Sequence, residues 1–218
     1  MRYLFSLLLL IISLPASTEN WQTVSMPNIC TFQMPNTMEI QAGQYKIVSD
    51  KLQRQILELP IDSTRVIAQQ KGLNEYSKKS FKVKKYARII VETDYGQIGD
   101  YNHIDTKLTA TKFELRELDG IYRAEMEKVF SNITDKGKMS QKLLIWYPLK
   151  IVNINGISMI NISYTRSVNN GKPVLVNVYA VENNDRYHRV TISYRVDNAA
   201  NYEEDLKQVI YTFKFNRR

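Results

Sequence analysis

The chain has 218 residues with a formal charge of +8, thirty Lys and Arg against twenty-two Asp and Glu, and it holds one cysteine and two histidines. A single cysteine excludes an intramolecular disulfide, so packed apolar side chains have to hold the fold. Two histidines leave little for a histidine-rich metal centre or a histidine-based nucleophile, and the excess of positive charge points to an acidic counterpart.

Residues 1–16 are predicted to be a secretory signal peptide: Arg2 gives the positive start, Leu4 to Leu14 run uncharged, and "SLPAS" supplies small residues for cleavage after Ala16, with Ser17 as the alternative. An apolar run of this length falls short of the about 20 residues that cross a bilayer. The destination is therefore the periplasm or the extracellular space. Residues 17–218 are expected to form one domain, because no fixed-period repeat and no Pro/Gly/Ser-rich linker interrupts them. "WQTVSM" and "CTFQMP" are short extended pieces, and Cys30 within the second is expected to pack as a small buried side chain. Its other use would be a bridge between chains.

"SDKLQRQILEL" places Leu52, Ile56 and Leu59 at helical spacing and stops at Pro60. "TRVIAQQ" is a strand ended by Gly72, and Arg88 to Thr93 form the heart of another. Between them, "KKSFKVKK" holds Lys78, Lys79, Lys82, Lys84 and Lys85, an electrostatic patch suited to an acidic protein face, anionic lipid or polysaccharide, or else one wet edge of a strand. Export argues against nucleic acid. "TKFELRELDGIYRAEMEKVFS" is the best helix: Thr111 and Glu114 make a capping box, and Leu115, Leu118, Tyr122, Met126 and Val129 form one apolar stripe.

From Lys142 the period changes to two. "KLLIWYPLKIVNI" is extended, with a break at Pro148, and Asn155–Gly156 is a type I′ hairpin signal. Ile160, Ile162 and Tyr164 share a face, as do Val174, Val176 and Val178, and then Val190, Ile192, Tyr194 and Val196. Four extended segments joined by short turns read as an antiparallel meander. "NYEEDLKQVIYTFKF" closes the chain with a helix, Asn201 and Glu204 repeating the capping pattern ahead of Leu206, Val209, Ile210 and Phe213. Helices before and after the meander predict an α+β fold, an antiparallel sheet covered by helices.

At this point "CTFQMP", the Gly99–Tyr101 segment ahead of the long helix, and "GKPVLVNVYAVENNDRYHRVTISYRV" with its helix running into "YTFKF" resemble the PsbP-like domains. That family includes thylakoid-lumen photosystem subunits, a yeast Ran-binding relative and bacterial envelope proteins of mostly unassigned role. The resemblance covers most of residues 17–218 and rests on spacing and hydrophobic pattern. It implies a layered α/β/α sandwich and a role in binding or assembly without catalysis. It carries over no ligand motif and hence no functional residue.

The one dense cluster of chemistry is "DYGQIGDYNHIDTK", where Asp94, Asp100, His103 and Asp105 are the candidate metal ligands. The spacing lacks D-x-[DN]-x-[DN]-G, and Gly96, Gly99 and the aspartates suit a turn, which is the expectation. His188 shares strand parity with Val190 and is expected at a rim, with a satisfied nitrogen, beside an exposed Arg186. Glu203–Glu204 and Glu125–Glu127 belong on helix surfaces, and the fourteen tyrosines suit half-buried sheet faces or interfaces. Asn132 and Asn161 head glycosylation sequons, Asn161 inside a predicted strand. No Walker loop, G-x-S-x-G, H-E-x-x-H or dinucleotide fingerprint occurs. The functional expectation is a non-catalytic binding module, with no cofactor, acting on an envelope or secreted protein. The alternatives are a carrier for a small apolar or anionic ligand and, third, a hydrolase with spatially assembled carboxylates.

Overall fold

The computed structural model describes residues 21–43, 45–47, 49–50, 65–75, 85–135 and 140–218. The expected signal peptide, Leu52, Ile56 and Leu59 of the first predicted helix, and Lys78, Lys79, Lys82 and Lys84 lie outside them.

Among the described residues ten strands form two sheets. β1 (Trp21–Met26) and β2 (Cys30–Pro35) make a hairpin, Met26 opposite Cys30, and β10 (Lys214–Phe215) pairs with the other edge of β2. The larger sheet takes β3 (Met38–Ile40), β4 (Val66–Gln70), β5 (Ala87–Tyr95), β6 (Gln141–Ile154), β7 (Ile157–Val168), β8 (Val174–Glu182) and β9 (Arg186–Arg195). Its order is β3-β4-β5-β9-β8-β7-β6, antiparallel throughout. The meander β6 to β9 is as expected from its alternation. At its first turn Asn155 and Gly156 take φ of 53° and 81°, the positive values that a type I′ turn demands.

Two cores form, one on each face. On the first, Ala87, Ile89 and Val91 of β5 lie beside Val190, Ile192 and Tyr194 of β9. Helix α2 (Ala199–Val209) and the small sheet cover them, burying Tyr202, Leu206, Val209, Phe32 and Met34. Phe213 stacks on Phe32 with ring centroids 4.6 Å apart. On the opposite face Ile162, Tyr164, Val174 and Val176 receive α1 (Lys112–Asp135) through Leu115, Leu118, Tyr122, Met126 and Phe130. The result is an α+β sandwich, an antiparallel sheet between helical layers.

The capping box is present: the Glu114 carboxylate accepts from the Thr111 amide at 2.7 Å, and the Glu114 amide donates to the Thr111 hydroxyl at 3.2 Å. Three local expectations change. The α1 stripe ends on buried Phe130, while Val129 is exposed, because the larger ring one position on reaches Tyr164, 6.0 Å between centroids. Val196 is exposed too, since β9 stops at Arg195 and a 3-10 turn, Val196–Asn198, leads into α2. Asn201 therefore lies inside the helix and caps nothing. The boundary residue Asn198 makes no side-chain cap, because its Oδ1 accepts the Tyr86 amide at 3.0 Å.

β6 departs most from a simple alternation. Its register with β7 slips between Leu143 and Ile145 and again between Tyr147 and Lys150. Each slip inserts one residue and switches which parity faces α1. Leu143, Trp146 and Leu149, three apart, can then all pack beneath α1. Asp119 of α1 fastens this bent segment, its Oδ1 accepting from Trp146 Nε1 at 2.9 Å and from the Leu149 amide at 2.7 Å.

Candidate functional site

The aspartate-rich segment after β5 is a docked turn. Asp100 accepts the Gln97 amide at 2.6 Å, and Asp94 pairs with Arg189 at 2.9 Å. His103 Nδ1 lies 3.4 Å from the Arg218 carbonyl, and Asp105 is exposed. The backbone then clips onto the β8–β9 turn: Gly96 donates to Asp185, Tyr101 to Asn184, and Asn184 back to Asn102. Asp94, Asp100 and His103 thus serve separate partners, and Asp105 faces solvent. Among the described residues no group of three His, Cys, Asp or Glu side chains converges to hold a cation.

That clip seals a buried polar cluster. His188 is 0% exposed, not on a rim, because the loop and the last residues of the chain close over it. Its Nδ1 is 3.0 Å from Thr93 Oγ1, its Nε2 is 3.2 Å from Asn183 Nδ2, and its ring stacks on Phe215 at 5.0 Å. Burial, aided by the Arg186 charge and opposed by Asp185, lowers its pKa to about 4. A neutral ring with both nitrogens engaged is a structural element rather than a base poised near neutrality. Arg186 is buried as well, donating to the Asn28 carbonyl and lying over the Tyr95 ring. Asn183 completes the knot through Asn216 and Arg218.

The remaining sequence candidates are also placed. Lys85, the described member of the lysine patch, donates to Asn201 Oδ1 at 2.5 Å. Cys30 is buried beside Met26, and its burial pushes the thiol pKa up to about 12. Glu127 pairs with Arg123 and Glu203 with Lys207 along exposed helix faces. Asn132 is exposed on α1, whereas half-buried Asn161 donates to the Val178 carbonyl.

The surface that local sequence did not mark is β6. Among the described residues it ends the larger sheet, paired on one side only. Leu144 is the residue inserted at the first bulge, without a register partner, and is 46% exposed. Ile145 and Tyr147, on the face away from α1, are 50% and 38% exposed. Lys142 and Lys150 flank this strip, both exposed, and neither makes an ion pair among the described residues. The alternation of "KLLIWYPLK" suggested a strand; only the bulges decide which apolar residues stay in water.

No protein-family model matches the chain, and no curated protein does either. Among solved structures it is similar to PA94 from Pseudomonas aeruginosa, a protein of unknown function, at 12% identity over 88% of this chain and 95% of that one, with a TM-score of 0.35. It is also similar, at 14% identity and a TM-score of 0.49 over 92% of this chain and 95% of the other, to the cyanobacterial PsbP (CyanoP) of Synechocystis sp. PCC 6803.

Proposed function

We propose that this chain is an exported, single-domain, non-catalytic binding module that docks a partner protein along the β6 edge. The supporting observation is the strip Leu144, Ile145 and Tyr147, apolar side chains standing in water on an open edge. Lone exposed apolar residues are ordinary, but three together on an edge strand suit a docking surface. The bulges and Pro148 on either side keep the edge from pairing over its full length with another copy. A short extended segment fits between them, its backbone toward Ile145–Tyr147 and its acidic side chains toward Lys142 and Lys150. The partner is accordingly an acidic segment of an envelope or secreted protein, reached after cleavage near Ala16.

Site-specific photocrosslinking in the native compartment tests this. A photoreactive residue replacing Leu144 or Tyr147 is expected to trap a discrete protein, and Ile145→Lys is expected to abolish the product. The same residue at Phe113, on the exposed side of α1, is the control. Equal products from both surfaces, or none from β6, would refute the docking edge.

A further inference from the structure

The face beneath α1 carries two groups of charges that are handled differently. Near the β5 C-terminal end the charges are balanced: Arg65 pairs with Glu92 at 3.0 Å, and Arg189 with Asp94 at 2.9 Å and Glu92 at 3.7 Å. Toward the other end of the same strands, no carboxylate lies within ion-pair distance of Arg88 or Arg166 among the described residues. Both are half-buried. Arg88 stands opposite Ser193, while Arg166 and Arg195 flank Val174 on the neighbouring row of the same face.

Tyr86 lies among them. Its phenol accepts hydrogen bonds from the Ser193 and Arg166 side chains, and Arg88 sits 5.4 Å above its ring. Burial pushes the phenol pKa up, yet the two guanidiniums and these hydrogen bonds outweigh it and bring it below the ordinary tyrosine range. The field here favours negative charge. Arg88 bonds Tyr45 Oη through Nη2 at 3.2 Å, but its Nε is buried without an acceptor among the described residues. Arg166 spends Nη1 on Gln141 Oε1 at 2.9 Å. Partly desolvated guanidiniums without a counter-charge are costly, and their planar forks match the oxygens of an anion.

We propose that Arg88, Arg166, Ser193 and Tyr86 form a binding site for a tetrahedral oxyanion, a phosphate or sulfate group. The guanidinium N–H groups not spent on Tyr45, Gln141 and Tyr86, together with the Tyr86 O–H, still outnumber what the two oxygens of a carboxylate can fill. The site lies on the face opposite Ile145 and Tyr147, and it stands whether or not β6 docks a protein.

Titration of the full chain with inorganic phosphate at constant ionic strength, followed by backbone amide resonances, tests it. Saturable shifts centred on Tyr86, Arg88, Arg166 and Ser193 are expected. Arg88→Gln and Arg166→Gln should each weaken binding at least about tenfold, while Lys172→Gln, which removes a surface pair with Asp197, should bind as the parent does. Bound phosphate should also raise the pH at which Tyr86 ionises, a change that a merely structural arginine pair would not produce. Should both variants fail to fold, the resonance map and the Tyr86 titration of the parent decide alone. Sulfate should compete and acetate should not. Vesicles of phosphatidylglycerol separate the sources: retention abolished by Arg166→Gln assigns the anion to a lipid headgroup, and no retention assigns it to a free ion or small ester. Non-saturating shifts, shifts equalled by chloride or acetate, or unchanged affinity in both variants would overturn the site.

Discussion

Acidification should loosen this fold through His188, and the size of the effect follows from its surroundings. The ring is walled in by Thr93, Asn183 and Phe215, with Arg186 adding positive charge and Asp185 opposing it. Its pKa falls from 6.5 to about 4 in the folded chain. A depressed histidine pKa means that the unfolded chain takes up the proton first. The contribution is therefore complete above the unfolded value, declines as pH falls from 6.5 toward 4, and levels off below. At 1.36 kcal/mol per pKa unit, this shift corresponds to about 3 kcal/mol, most of it lost by about pH 4.5. Urea unfolding of the parent and of His188→Gln, from about pH 7 to about pH 4.5, isolates the term, because carboxylates titrating nearby contribute equally to both proteins. The variant starts weaker, but its curve should be flatter by about 2–3 kcal/mol over that range. Parallel losses in the two proteins would show that the ring is not held neutral by burial.

Two further outcomes test other parts of the structure. Asp119→Ala strands the Trp146 indole N–H and the Leu149 amide beneath α1 and should cost about 1–3 kcal/mol in thermal or urea unfolding, with a change in tryptophan emission. Cys30, its thiol buried and its pKa raised to about 12, should resist alkylation in the folded protein and react once denaturant is added.

Legibility followed the range of the forces involved. The meander could be read because each strand is patterned by its own alternation and each turn by its own asparagine or glycine. The α1 start could be read because Thr111 and Glu114 bond each other three residues apart. Bulges were hidden: Leu143, Trp146 and Leu149 look like three strand residues of mixed parity until Asp119, from another element, pins the strand between them. His188 shows the same limit. Its parity with Val190 pointed inward while its residue type pointed outward, and the partners that settle the matter, Thr93 and Phe215, are distant in sequence. The site candidates fared alike. Asp94 and Asp100 looked convergent on paper, yet each is claimed by its own neighbour, whereas Arg88 and Arg166 both reach Tyr86 only because β5 joins the meander at β9.

The pairing of β10 with β2 has a consequence for the order of events during folding. The first hairpin lends one edge to residues far along the chain, Lys214 opposite Thr31 and Phe215 opposite Cys30, and the ring of Phe213 completes the stack on Phe32. Until that distant segment arrives, the hairpin waits with this edge unpaired and Phe32 without its stacking ring. Closure of the small sheet is thus a late event, set by the separation in sequence of the strands that make it.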